Sequence, residues 1–220
     1  MTKQRSAVSS QLSAFALSGL TIVEVLVAMS MAGLFYTALY GFYRLHTSVL
    51  KAEEIRLDLQ ESSRLAIDFM VRELHLAGAR PVRGGPCDGF ERLTVAEAQR
   101  VTMQYDFRGN SAAAPPDSCP DDPSELITYL YDGAGQMLRR ATSGGAPQPF
   151  ISDVPADGFL LRYFDRDGNE LAPALGGPER AAVHSMVVTV RTSKPHPDPR
   201  ETDLIAAELS STVFLPNPPG

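Results

Sequence analysis

From Leu20 to Tyr43 the chain runs for 24 residues with one charged side chain, Glu24. As a helix this stretch rises about 36 Å at about 1.5 Å per residue, enough to cross a hydrocarbon core of roughly 30 Å. Inside lipid the backbone must satisfy its own hydrogen bonds, so a single span has to be helical. Tyr36, Tyr40 and Tyr43 crowd its C-terminal half, where an aromatic belt sits, and Lys3 and Arg5 precede it with no acid before Glu24. The positive-inside tendency then puts the N-terminus in the cytoplasm and the bulk of the chain outside. A cleaved secretory signal fits poorly, because the run exceeds the usual h-region of about 7–15 residues and no A-x-A site follows. A buried helix of a soluble core fits poorly too, since such helices are rarely apolar on every side.

Composition sharpens this division. The 220 residues carry a formal charge of −6, which argues against a dedicated nucleic-acid binder. The charge is unevenly spread: residues 44–83 hold seven basic and six acidic side chains, whereas 84–220 hold 11 basic and 19 acidic. An acidic C-terminal part is ill suited to gripping phosphate, and Arg139-Arg140 reads as a solvated strand end rather than a basic patch.

Glu24 sits about one turn inside the apolar run, where an ionised carboxylate costs several kcal/mol and calls for a partner. No Lys, Arg or His lies between Arg5 and Arg44. A cut just before Leu20 would create an amino group four residues upstream, largely protonated at neutral pH with a reference pKa of about 8. Each charge would stabilise the other.

The run Ser18-Gly19-Leu20-Thr21-Ile22-Val23-Glu24-Val25-Leu26-Val27-Ala28-Met29 resembles the prepilin-type signal of type IV pilins and type II secretion pseudopilins. That resemblance implies cleavage between Gly19 and Leu20 by prepilin peptidase, N-methylation of Leu20, and Glu24 as the acid that meets a neighbouring subunit's amine during assembly. The leader departs from the family in its apolar character, with Lys3 and Arg5 far from the cut.

Past Tyr43 an amphipathic pattern continues: Leu45, Val49, Ala52, Ile55, Leu59, Ser62, Ala66, Phe69 and Leu74 form a 3.6-residue stripe, with Glu53, Glu54, Asp58, Glu61 and Glu73 among the charges on the other face. No proline precedes Pro81, so one helix is expected from Leu20 to about Ala77, with Gly78 as its C-cap and Pro81 as a stop. Gly33 and Gly41 interrupt the apolar half. Close helix packing explains such glycines, and the pilin resemblance adds a second reading, points where the helix melts in a packed filament. Beyond Pro81, strands are expected at Arg100–Phe107, Leu126–Tyr131, Met137–Ala141, Gly158–Phe164, Val183–Thr192 and Leu204–Phe214, separated by turn chemistry at Asp132-Gly133 and Asp167-Gly168-Asn169. The sum is an α+β chain, a long N-terminal helix covering an antiparallel sheet. Its expected divisions are a leader (1–19), a transmembrane half of the helix (20–43), an amphipathic half (44–78) and a periplasmic β-rich head (79–220).

Cys87 and Cys119 are the only cysteines, both on the outward side. An even count in an oxidising compartment favours a disulfide, two separate buried thiols being the alternative. Asp165, Asp167, Asn169 and Glu170 look superficially like a calcium loop, but the twelfth position counted from Asp165 is Gly176 rather than glutamate, so a hairpin turn is expected. His46, His75, His184 and His196 lack zinc spacing. No phosphate-binding loop or nucleophile–base motif is visible, and neither enzymatic activity nor a cofactor is expected.

The segments Leu59–Gly78 and Leu161–Leu171 resemble PilW-type minor pilins and also the J-type minor pseudopilin of type II secretion. The first implies a structural subunit of a type IV pilus tip or initiation complex, partnered by major and minor pilins, the prepilin peptidase and an inner-membrane assembly platform. The second implies a pseudopilus. An uncleaved single-pass membrane protein with a periplasmic binding or adhesive head is the third expectation.

Overall fold

A computed structural model of the chain describes residues 21–80, 90–107, 119, 122, 124–143 and 145–217. The chain divides into two compact units, Met1–Thr47 and Ser48–Gly220. Helix α1 (Ile22–Leu76) runs from the first into the second. In the first unit its residues are exposed from Thr21 to His46. This part of α1 is long and apolar enough to cross a membrane.

In the second unit the helix meets strands. Leu59, Ser63, Ala66, Ile67, Met70 and Leu74 are buried, at spacings of one, three and four residues that keep them on one face. They pack with two antiparallel sheets. The first is a meander of β1 (Leu93–Ala96), β2 (Arg100–Gln104), β3 (Leu126–Asp132), β4 (Met137–Thr142) and β5 (Gln148–Ile151), neighbours in that order. The second is built from β6 (Phe159–Phe164), β7 (Glu170–Leu171), β8 (Ser185–Pro195) and β9 (Leu204–Phe214), ordered β7-β6-β8-β9. A short helix, α2 (Gly177–Ala182), precedes β8. One core joins helix and sheets, with Met70, Leu74, Val101, Tyr129, Phe159, Tyr163 and Val188 fully buried.

The α+β class read from the sequence is the one found, with a correction: two sheets replace the single expected sheet. The break falls between β5 and β6. Asp153 takes a left-handed φ of 61° there, and Pro155 lacks a donor, so the chain leaves one ladder before entering the next. Gly158 then lets two backbones touch, because a Cβ at this position would lie 2.6 Å from the Arg191 carbonyl oxygen. Strands β1, β5 and β7 and helix α2 were not expected; at two to six residues they are too short to show a period. The expected strand Arg100–Phe107 ends at Gln104, and the strand expected from Val183 begins at Ser185 and reaches Pro195. Val188 and Val190 do point inward while Thr189 and Arg191 are part-exposed.

The helix stripe also needs correction. Leu45, Val49 and Phe69 are exposed, Ser63 rather than Ser62 is buried, and burial begins only at Leu59. Lys194, next to the end of β8, meets Asp58, and the first buried residue of α1, Leu59, follows directly on that contact. The C-terminal end is as expected. Gly78 adopts φ 78°, its N–H donates to the Gln104 carbonyl at 2.8 Å, and the Asn217 amide caps the Ala77 carbonyl at 3.0 Å.

Candidate functional site

The candidate site is the N-terminal half of α1. Thr21 caps the helix, its hydroxyl oxygen accepting the Glu24 N–H at 3.2 Å. Glu24 therefore lies in the first turn, where the helix dipole favours a carboxylate. The hydroxyls that follow are satisfied within the helix: Ser30 donates to the Val27 carbonyl and Thr37 to the Gly33 carbonyl, each at 2.8 Å. Such back-bonding removes the cost of carrying hydroxyls in an apolar medium. The remaining surface is aliphatic and aromatic, with Ile22 80% exposed and Leu34 74%. A helix of this kind can enter lipid or pack against other helices, and its first turn offers one acid to a cation supplied from elsewhere.

Helix α1 passes through both Gly33 and Gly41 without a break, and a Cβ at either would meet nothing within 4 Å. Neither glycine is required by packing against the described residues. Gly19 and Leu20 lie outside the described residues, as does Cys87. Cys119 is buried, and no cysteine among the described residues is free.

Two polar clamps hold the other half of α1 to the sheets, and the sequence pattern missed both. The helical period puts Glu73 on the outer, charged face. It instead accepts two hydrogen bonds from Arg140 on β4, at 2.6 and 3.0 Å, and one from the Tyr129 hydroxyl on β3. The reading of Arg140 as a solvated strand end is overturned with it. Burial, then the hydrogen bond to Glu73, raises the Tyr129 phenol well above its usual pKa, and the bond to Glu73 raises Arg140. Asp58, although its side chain stays exposed, is likewise tied to a strand, accepting from Lys194 at 2.9 Å, while Asp153 meets the same ammonium at 3.4 Å. Between these clamps, Ser63 and Thr192 share a buried hydroxyl–hydroxyl bond of 2.9 Å. A helical wheel places charges by period alone, and only knowledge of which strand lies opposite would have paired Glu73 and Asp58 with the sheets.

The acidic loop after β6 is a hairpin. The Asp165 carboxylate accepts the N–H groups of Asp167 and Asn169 at 2.9 and 2.8 Å and the Asn169 amide at 2.9 Å, while Gly168 takes φ 84°. These bonds, led by that of the Asn169 side chain, hold the Asp165 carboxyl below its usual range. Its oxygens are engaged in turn geometry rather than aimed at a shared centre.

No protein-family model matches the sequence, and no curated protein does. Among solved structures, the chain is similar to a type IV-like pilin from Thermus thermophilus, at 17% identity over 71% of this chain and 95% of that one, with a TM-score of 0.48. A likeness at that level assigns no residue a role.

Proposed function

We propose that this chain is a minor pilin, a structural subunit of a type IV pilus tip or initiation complex. It is made as a single-pass inner-membrane precursor, with its N-terminus cytoplasmic and its strand-bearing unit periplasmic. Prepilin peptidase cuts between Gly19 and Leu20, Leu20 is N-methylated, and the helix leaves the bilayer to pack among the helices of major and minor pilins. Head-to-tail packing of unlike surfaces builds an open filament, so such a subunit needs one face for each neighbour.

The observation that carries this reading is α1. Its first half exposes apolar residues on every side and opens on one carboxylate, and the same helix continues into a half clamped to two sheets. The clamped half couples whatever the first half assembles with to the strand-bearing unit. The amine created at Leu20 on a neighbouring subunit supplies the cation that Glu24 lacks in its own chain, and pairing within an apolar core sets register because each charge is costly alone. Gly33 and Gly41 serve as points where the helix unwinds as the filament packs. Cys87 and Cys119 form a bridge that fastens the segment after α1.

The test is Glu24→Ala in cells relying on this copy alone. The variant is expected to remain in the inner membrane and to vanish from sheared filaments. Incorporation at the unsubstituted level would refute the role given to Glu24.

A further inference from the structure

A groove of about 540 Å³ opens beside α1 in the second unit. Its floor is buried and mostly apolar, formed by Leu59, Ala66 and Thr192. Its walls are Leu65, Phe69 and Phe150, and the two phenylalanines lie 5.6 Å apart at a tilt of 51°. Leu65 is 62% exposed and Phe69 45%, an unusual outlay of apolar surface on a segment whose neighbours Arg64 and Asp68 are charged. At the rim, the Lys194 ammonium is held by two carboxylates, Asp58 and Asp153. The mouth thus carries one negative charge in excess beside an unfilled aromatic slot.

We propose that this groove seats a large apolar side chain of a different subunit, with a lysine or arginine beside it that meets Asp58 and Asp153. The inference rests on the reading of the chain as a filament subunit and adds the chemistry of its partner. Charge complementarity selects the occupant. The excess carboxylate asks for a cation, whereas a second copy would bring another acidic body, 19 acidic against 11 basic side chains from residue 84 onward, and like fields repel. Strand addition is a poor alternative. β5 is an edge strand, but Pro149 removes a donor from it, so recognition falls to side chains in the slot rather than to a backbone ladder. An anchor packed against the Phe69–Phe150 pair, ringed by a charge pair, is the arrangement in which a few residues carry most of an interface's affinity.

The experiment places a photo-crosslinking phenylalanine at Ser62 or at Ser152 of the full chain, in the cells that make it. The crosslinked peptide and the chain's own N-terminus are then read from the same sample by mass spectrometry. Support is a crosslink to an aliphatic or aromatic residue within three positions of a lysine or arginine on another subunit. Its yield should fall about threefold to fivefold with Asp58→Asn plus Asp153→Asn, the scale of losing exposed ion pairs. Asparagine tolerates the left-handed backbone of Asp153, and at both positions its amide oxygen can still accept from Lys194. The substitutions thus remove charge while keeping an acceptor for the ammonium, and unfolding curves of the variant check that the fold is retained. A processed N-terminus with no crosslink, a crosslink to a second copy, a crosslink to a segment without a base, or a yield indifferent to the two aspartates overturns the proposal alone. An intact N-terminus overturns the filament reading on which it rests.

Discussion

Leu26 and Leu74 belong to the same helix and are the same residue, yet Leu26 is 61% exposed and Leu74 is fully buried. Between them α1 changes its role without changing its backbone. In the second unit, apolar residues on one face are covered by strands of the same chain, and charges near the edges of that face are tied down as well: Glu73 to Arg140 and Tyr129, Asp58 to Lys194. In the first unit, apolar residues surround the helix and nothing among the described residues covers them. Burial of about 25 cal/mol per Å² drives both cases, and what differs is who supplies the cover. A surface of this kind suits lipid or the helices of other subunits.

Substitutions can break this comparison. The largest effect on stability is expected from Leu74→Ala. It removes a side chain from the core at Met70, Val101 and Tyr129 and should cost the second unit about 2–5 kcal/mol in denaturant unfolding. Leu26→Ala should leave that unfolding unchanged, and a comparable loss there would mean that the two halves share one core. Next comes Glu73→Ala, which leaves the part-buried Arg140 guanidinium and the hydroxyl of the buried Tyr129 without their acceptor. A loss of about 1–3 kcal/mol follows, read by the same unfolding curves. An unchanged midpoint would show that the clamp contributes nothing.

The smallest effect concerns pH. Asp132 is held below its ordinary value of 3.8, first by the hydrogen bond from Arg139 and then by the N–H of Gly135. A carboxyl whose folded pKa is depressed adds stability above its unfolded value and loses it as pH falls through the folded one. Asp132→Asn should therefore lower the unfolding midpoint slightly at neutral pH, with the difference shrinking below pH 3.8. A difference that grew on acidification would contradict the assignment.

Much of this organisation was legible in the residues. The long helix, its end at Gly78 and the inward alternation of Val188 and Val190 followed from period and capping chemistry, because each depends on neighbours close in sequence. What escaped were features settled by distant neighbours. The division into two sheets turns on the backbone near Asp153 and Gly158. The clamps pair residues 67 and 136 positions apart, and the cap on Ala77 comes from Asn217, 140 positions away. The candidate site is the reverse case. Glu24 and the apolar surround were visible in sequence, because the site is one continuous stretch of helix, whereas the helix expected from Leu20 begins at Ile22 with Thr21 as its cap.

We propose that α1 is uncovered by the described residues because it is shared with other subunits after processing. Mass spectrometry of the N-terminus of the chain isolated from its own cells tests this most directly. The account predicts a mature chain that begins at Leu20 and carries one N-methyl group. A chain that retains Met1 through Gly19 would contradict it.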